Sequence, residues 1–187
     1  MPHSPSGCPA RPLNGLPRSS VSGANTSSAC EEPAPMKFQK DFEDLCASLN
    51  GRNVDYLIVG GYALAFHGAP RFSGDLDIFN RPTTENANKL VAALHDFGFR
   101  QTPVHPDDLL CERKVLELGR QPVEAHLMAL MSGVSWEGAW ESRQLGAYGG
   151  APVYFLGREA FIANKLATGR AKDLADIEAL REPGSRE

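Results

Sequence analysis

The sequence predicts an α/β (α+β) domain built on a central mixed β-sheet with helices packed against it. Three observations carry this reading. Short apolar runs of strand character recur between residues 56 and 156, amphipathic helical segments alternate with them, and glycine or proline punctuates most junctions. The chain of 187 residues has room for one domain and a tail.

Phe38, Phe42, Leu45 and Leu49 recur at helical spacing, and Gly51 stops that helix. Tyr56-Leu57-Ile58-Val59 is a continuous apolar run, the mark of a buried strand. Gly60-Gly61 ends it, and Tyr62 to His67 reads as a short helix closed by Gly68. Residues 69–74 form a loop before a second strand with Leu76, Ile78 and Phe79, which carries Asp75 and Asp77. Glu85 to Phe97 is an amphipathic helix with Leu90, Val91 and Leu94 on one face, terminated by Gly98. Residues 101–113 show no clear period. Val115–Leu118 and Val123–Met128 predict a hairpin turning at Gly119-Arg120-Gln121. Ser135 to Arg143 predicts a helix in which Trp136 and Trp140 lie one turn apart and pack rather than bind a nucleotide. Val153–Leu156 is a further strand, and Glu159–Thr168 and Lys172–Arg181 are two helices split by Gly169.

Residues 1–35 have a different texture. They hold seven of the 14 prolines and seven serines, and their few charges cancel. Such a segment buries too little apolar surface to offset its chain entropy, so the expectation is a disordered tail, with Met36 as the natural start. The predicted organisation is therefore 1–35 tail, 36–182 domain and 183–187 carboxyl-terminal tail.

A net charge of −4 argues against a protein that coats nucleic acid through a basic surface, while leaving room for a local RNA site. No apolar run approaches the roughly 18 residues of a membrane span. No basic-then-apolar leader is visible, and the four cysteines are scattered without a Cys-x-x-Cys pair. These features predict reduced thiols in a cytoplasmic protein without membrane partners.

The chemistry is concentrated in Leu57-Ile58-Val59-Gly60-Gly61 followed by Asp75-Leu76-Asp77. Carboxylates at i and i+2 of a strand share one face. Held so close, they repel unless a cation sits between them, and oxygen ligands suit Mg²⁺ or Mn²⁺. A glycine pair between strand and helix lets backbone come close to a ligand such as a phosphate. Together the two features point to phosphoryl or nucleotidyl transfer. A purely structural domain leaves the aspartate pair unexplained.

The segments Val59-Gly60-Gly61-Tyr62-Ala63, His67-Gly68, Arg71 and Asp75-Leu76-Asp77-Ile78 resemble the polymerase-β-like nucleotidyltransferase superfamily. Within it they are most similar to the small bacterial enzymes related to AbiEii-type toxins and to minimal nucleotidyltransferases. Ala163-Asn164-Lys165 and Gly169-Arg170-Ala171-Lys172-Asp173-Leu174-Ala175-Asp176 extend the resemblance, which runs from about residue 53 to 180. It implies the nucleotidyltransferase fold and transfer of a nucleoside monophosphate from a nucleoside triphosphate to an acceptor hydroxyl. The acceptor would be RNA, protein or a small molecule. It implies that Asp75 and Asp77 hold two Mg²⁺ (or Mn²⁺) ions and that Gly60 and Gly61 cradle phosphates. Arg71 and Lys165 would contact phosphate, with Asp173 and Asp176 ordering the nucleotide pocket. It further implies a toxin–antitoxin-type setting with a cognate antitoxin or other partner protein.

The pattern breaks at the third carboxylate that the superfamily supplies from a neighbouring strand. Aligned through Pro122 and Ser132-Gly133-Val134, that position falls on His126. Glu124 lies two residues earlier and faces the same side. Either Glu124 substitutes, the favoured reading, or His126 ligates the metal or acts as a base, or the third ligand is lost. The last case makes the chain a catalytically weak nucleotide- or partner-binding module on the same fold. The direction in which Glu124 points discriminates the two functions.

Overall fold

The computed structural model describes residues 38–100, 103–111, 114–120 and 123–181. The tail expected over 1–35, the proposed start at Met36 and the tail at 183–187 lie outside the described residues.

A six-stranded sheet organises the domain, in the order β3-β4-β2-β1-β6-β5. Its centre is β1 (Tyr56–Ile58) against β2 (Asp75–Asn80), an antiparallel pair. Each centre strand is extended by a hairpin. β4 (Val123–Met128) lies parallel to β2 and pairs antiparallel with β3 (Val115–Arg120). β6 (Ala151–Phe155) lies parallel to β1 and pairs antiparallel with β5 (Gln144–Tyr148). The fold is thus the mixed sheet with flanking helices that the sequence predicts.

The helices are α1 (Lys40–Gly51), α2 (Gly60–Phe66), α3 (Thr84–Phe97), α4 (Trp136–Glu141), α5 (Arg158–Thr168) and α6 (Ala171–Arg181), with a 3₁₀ turn at Pro106–Leu109. α1 buries Phe42, Leu45, Cys46 and Leu49, and α3 buries Ala87, Leu90, Ala93 and Leu94. Both sets follow the i, i+3, i+4 rule of a one-sided helix. The two helices are tied by Ser48 Oγ donating to the Ala93 carbonyl at 2.7 Å and by the Arg52–Asp96 pair at 2.6 Å. Among the described residues no helix is long and apolar enough to cross a membrane.

Two local devices set the position of β2. Leu76 and Ile78 are fully buried and alternate with Asp75 and Asp77, so one face of the strand is core and the other carries carboxylates. At the far end, the buried Asn86 accepts from Asp55 N at 2.8 Å and donates to the carbonyls of Asp55 at 2.9 Å and Arg81 at 3.1 Å. One side-chain amide therefore clamps the entry to β1 onto the exit from β2.

The structure corrects the sequence reading in two places. α2 begins at Gly60, two residues before the expected start at Tyr62, so the glycine pair that ends the strand also forms the first turn of the helix. An extra strand, β5, follows a helix that is shorter than expected, and Gly149 turns the β5–β6 hairpin with φ +59°. Trp136 is buried, stacks on Trp140 at 5.2 Å and meets Phe79 edge-on at 5.2 Å, which is packing as predicted.

Candidate active site

The parallel pairing of β2 with β4 builds the site. Its register places Asp75 opposite Glu124 and Asp77 opposite His126. Register partners in parallel strands share a face, so all four side chains leave the sheet on the side away from Leu76, Ile78, Ala125 and Leu127. Asp75, Glu124 and His126 each bring one ligand atom to within 4.8 Å of the others. All three are partly exposed, so solvent and ligands reach them. The sequence alternatives at the third position thus converge, because Glu124 and His126 both join Asp75. Among the described residues Glu117, opposite His126 on β3, adds a further exposed carboxylate to the neighbouring strand.

Asp77, the other expected metal ligand, is not in that group of three, although it shares their face. Its Oδ1 lies 3.1 Å from His126 Nδ1. Its backbone carbonyl accepts from Val59 N at 2.9 Å, which anchors the strand end to the β1–α2 junction. A Cβ on Gly60 would sit 2.0 Å from Asp77 Oδ2, and Gly60 has φ +60°. Both the space and the left-handed backbone require glycine here. At Gly61 a Cβ would lie 2.6 Å from Ser73 Cβ and 3.6 Å from Arg71 Nη1. The glycine pair therefore admits this chain's own Asp77, Ser73 and Arg71 to close range.

The other residues singled out by the sequence form a buried ionic network across α5, α6 and the loop before β2. Lys165 Nζ lies 2.6 Å from Asp173 Oδ1 and 2.8 Å from Asp176 Oδ2. Arg71 makes a two-pronged contact to Asp176, with Nε at 2.7 Å and Nη2 at 3.2 Å. Asp173 also accepts from Thr168 Oγ1 at 2.7 Å and from Arg170 Nε at 2.6 Å. Burial pushes the Asp173 carboxyl up, but hydrogen bonds from Arg170, Lys165 and Thr168 outweigh it and hold it well below the usual carboxylate range. Asp176 is shifted the same way: burial raises it, and Arg71 and Lys165 lower it further. Lys165, Asp173 and Asp176 are thus engaged with one another and are not part of the group formed by Asp75, Glu124 and His126.

Sequence reasoning assigned no role to Arg170. Its side chain is largely exposed although its Nε is held by Asp173. Among the described residues it is the most exposed cation of the network. The available signal was its place just before α6, three residues from Asp173.

No family model matches the sequence, and no curated protein matches it. Solved structures do. The candidate nucleotidyltransferase TM1012 of Thermotoga maritima is similar at 15% identity with a TM-score of 0.52, over 76% of this chain and 94% of that one. This is a nucleotidyltransferase fold. The lincosamide antibiotic adenylyltransferase LnuA, solved with lincomycin bound, is similar at 15% identity and a TM-score of 0.52, over 80% of this chain and 99% of that one. At such identity the likeness establishes architecture, and the chemistry of this chain rests on its own residues.

Proposed function

We propose that this protein is a metal-dependent nucleotidyltransferase that moves a nucleoside monophosphate from a nucleoside triphosphate to an acceptor hydroxyl. The observation that carries the proposal is the β2–β4 register, which brings one ligand atom from each of Asp75, Glu124 and His126 to within 4.8 Å of the others. Two carboxylates and an imidazole are a fitting donor set for a divalent cation. When bound, such an ion supplies Lewis acidity to the phosphoryl oxygens and eases deprotonation of the acceptor hydroxyl.

In this reading the acceptor hydroxyl gives up its proton to solvent, its oxygen attacks the α-phosphorus, the bond from that phosphorus to the α,β-bridging oxygen breaks, and pyrophosphate leaves. Asp75 and Glu124 present the anionic oxygens, and Asp77 orients His126. Arg170 and Arg71 face the triphosphate and stabilise charge on the departing pyrophosphate. Lys165 acts through them by neutralising Asp173 and Asp176, which hold the two arginines. Gly60 and Gly61 allow the close approach of Asp77 and Arg71, and their backbone borders the phosphates.

The acceptor class includes RNA, protein and small molecules, and the likeness to an antibiotic adenylyltransferase supports the last. The AbiEii-type resemblance supports a cytoplasmic toxin–antitoxin-type role with a cognate partner protein. A second reading, a catalytically weak nucleotide- or partner-binding module, is favoured by the histidine at the expected carboxylate position. The full-length protein, each labelled nucleoside triphosphate, a divalent cation and a pool of cellular RNA, protein and hydroxylated small molecules decide between them. Label transferred by wild type and not by Asp75→Asn supports the enzyme. Nucleotide binding without transfer to any pool selects the binding module.

A further inference from the structure

We propose that His126 makes this a nitrogen-bearing metal site that prefers Mn²⁺ to Mg²⁺. The inference rests on the nucleotidyltransferase reading and deepens it by naming the ion.

The hydrogen bond between His126 and Asp77 decides which ring nitrogen is available. A carboxylate only accepts, so at 3.1 Å from Asp77 Oδ1 the His126 Nδ1 is the donor. In the neutral imidazole the remaining lone pair then belongs to Nε2. A histidine oriented by a carboxylate through one nitrogen and offering the other is the arrangement that metal-ligating histidines adopt. Asp77 can take this orienting position because Gly60 leaves space for its Oδ2, where any Cβ would intrude to 2.0 Å. Backbone pairing fixes the strand position and the face of His126, which is opposite Asp77 on β2 and opposite Glu117 on β3. The ring is partly exposed, and one of its two nitrogens falls within 4.8 Å of a carboxylate oxygen of Asp75 and of Glu124.

The donor set is therefore two oxygens and one nitrogen. Mg²⁺ demands near-ideal octahedral oxygen coordination and gives up water reluctantly. First-row transition dications accept imidazole beside carboxylate, and their affinities rise from Mn²⁺ onward. A nitrogen ligand at the third position thus disfavours Mg²⁺ relative to Mn²⁺ without changing the fold that presents it.

The test uses full-length protein, with Mn²⁺ and Mg²⁺ as the probes. Free Mn²⁺ is titrated by electron paramagnetic resonance, Mg²⁺ is measured by competition, and spin-echo modulation reports a ¹⁴N nucleus bound to Mn²⁺. Wild type is expected to bind Mn²⁺ on the order of tenfold or more tighter than Mg²⁺, with ¹⁴N modulation present. His126→Asp is expected to abolish the modulation and bring the two affinities together, and circular dichroism verifies that the variant is folded. Equal affinities in wild type, Mn²⁺ binding without nitrogen modulation, or no Mn²⁺ binding overturns the proposal. Label transfer with Mg²⁺ in a protein that shows no nitrogen signal overturns the ion assignment and leaves the transferase reading standing. A nitrogen signal lost in His126→Asp, without transfer, supports the site and removes the transferase reading.

Discussion

Lys165 can serve a triphosphate or it can serve the fold, and replacing it with methionine separates the two. Its side chain is 6% exposed, and those of its partners Asp173 and Asp176 are 0% and 4% exposed. Methionine keeps the apolar stem and removes the ammonium, so two buried carboxylates lose a shared counter-charge. Breaking a buried pair from one side costs about 3–5 kcal/mol. Arg170 and Arg71 still contact those carboxylates, which places the expected loss near the lower bound, about 3 kcal/mol. For a domain of this size that lowers Tm by roughly 6–12 °C. Urea unfolding followed by circular dichroism gives the free energy, and calorimetric titration with a nucleoside triphosphate gives affinity on the same protein. The Lys165→Met, Asp173→Asn double variant completes a cycle and is expected to show strong coupling. A stability loss under about 1 kcal/mol, with nucleotide affinity down tenfold or more, would refute the structural role and return Lys165 to the phosphates.

Three further outcomes are expected. Gly60→Ala strains a backbone at φ +60° by about 1–2 kcal/mol and forces Asp77 aside; transfer should fall by roughly 100-fold, measured as kcat/KM, with the protein still folded by circular dichroism. Arg170→Gln should raise KM for the triphosphate several-fold with little change in the urea midpoint, because this side chain is largely exposed. Asp173 and Asp176 have carboxyls held below their usual range, so their stabilisation is fully present above the unfolded value near pH 4 and is lost as pH falls toward their folded values. Urea midpoints measured between pH 6 and pH 3 should fall in wild type and fall less steeply in Lys165→Met, in which those carboxyls lose one of the partners that depress them.

The fold was legible where packing leaves a periodic signature. The burial of β1 on both faces gives an unbroken Tyr56-Leu57-Ile58 run, and the core faces of α1 and α3 repeat every three or four residues. β5 left no such signature because it is an edge strand, exposed along most of its length, and its sequence Gln-Leu-Gly-Ala-Tyr has little apolar alternation. The Gly149-Gly150 turn was the available hairpin signal. In the site, the common face of Asp75 and Asp77 follows from strand geometry alone. The convergence of Glu124 and His126 on Asp75 does not, because register between β2 and β4 is a tertiary property set by all the elements between them. Spacing likewise could not show that Gly60 faces Asp77, or that Lys165 is buried between two aspartates.

These long-range pairings explain why the charged residues are divided as they are. The sheet wall sets Asp75, Asp77 and Glu124 on one face with a single histidine, an arrangement whose like charges repel one another. In the helix wall, Lys165, Arg71 and Arg170 meet Asp173 and Asp176, so three cations face two carboxylates and one positive charge remains. Because Lys165 is the buried member, the excess is carried by the more exposed arginines, and the Gly60-Gly61 turn, approached by Asp77 at one residue and by Arg71 at the next, sets that excess beside the acidic wall. A divalent cation bound to a triphosphate matches both walls: the ion meets the carboxylates and the phosphates meet the guanidinium groups. Either wall alone would be an acidic cluster or a structural ion network. Their juxtaposition on a nucleotidyltransferase fold favours nucleotide chemistry over a purely structural use of the same residues.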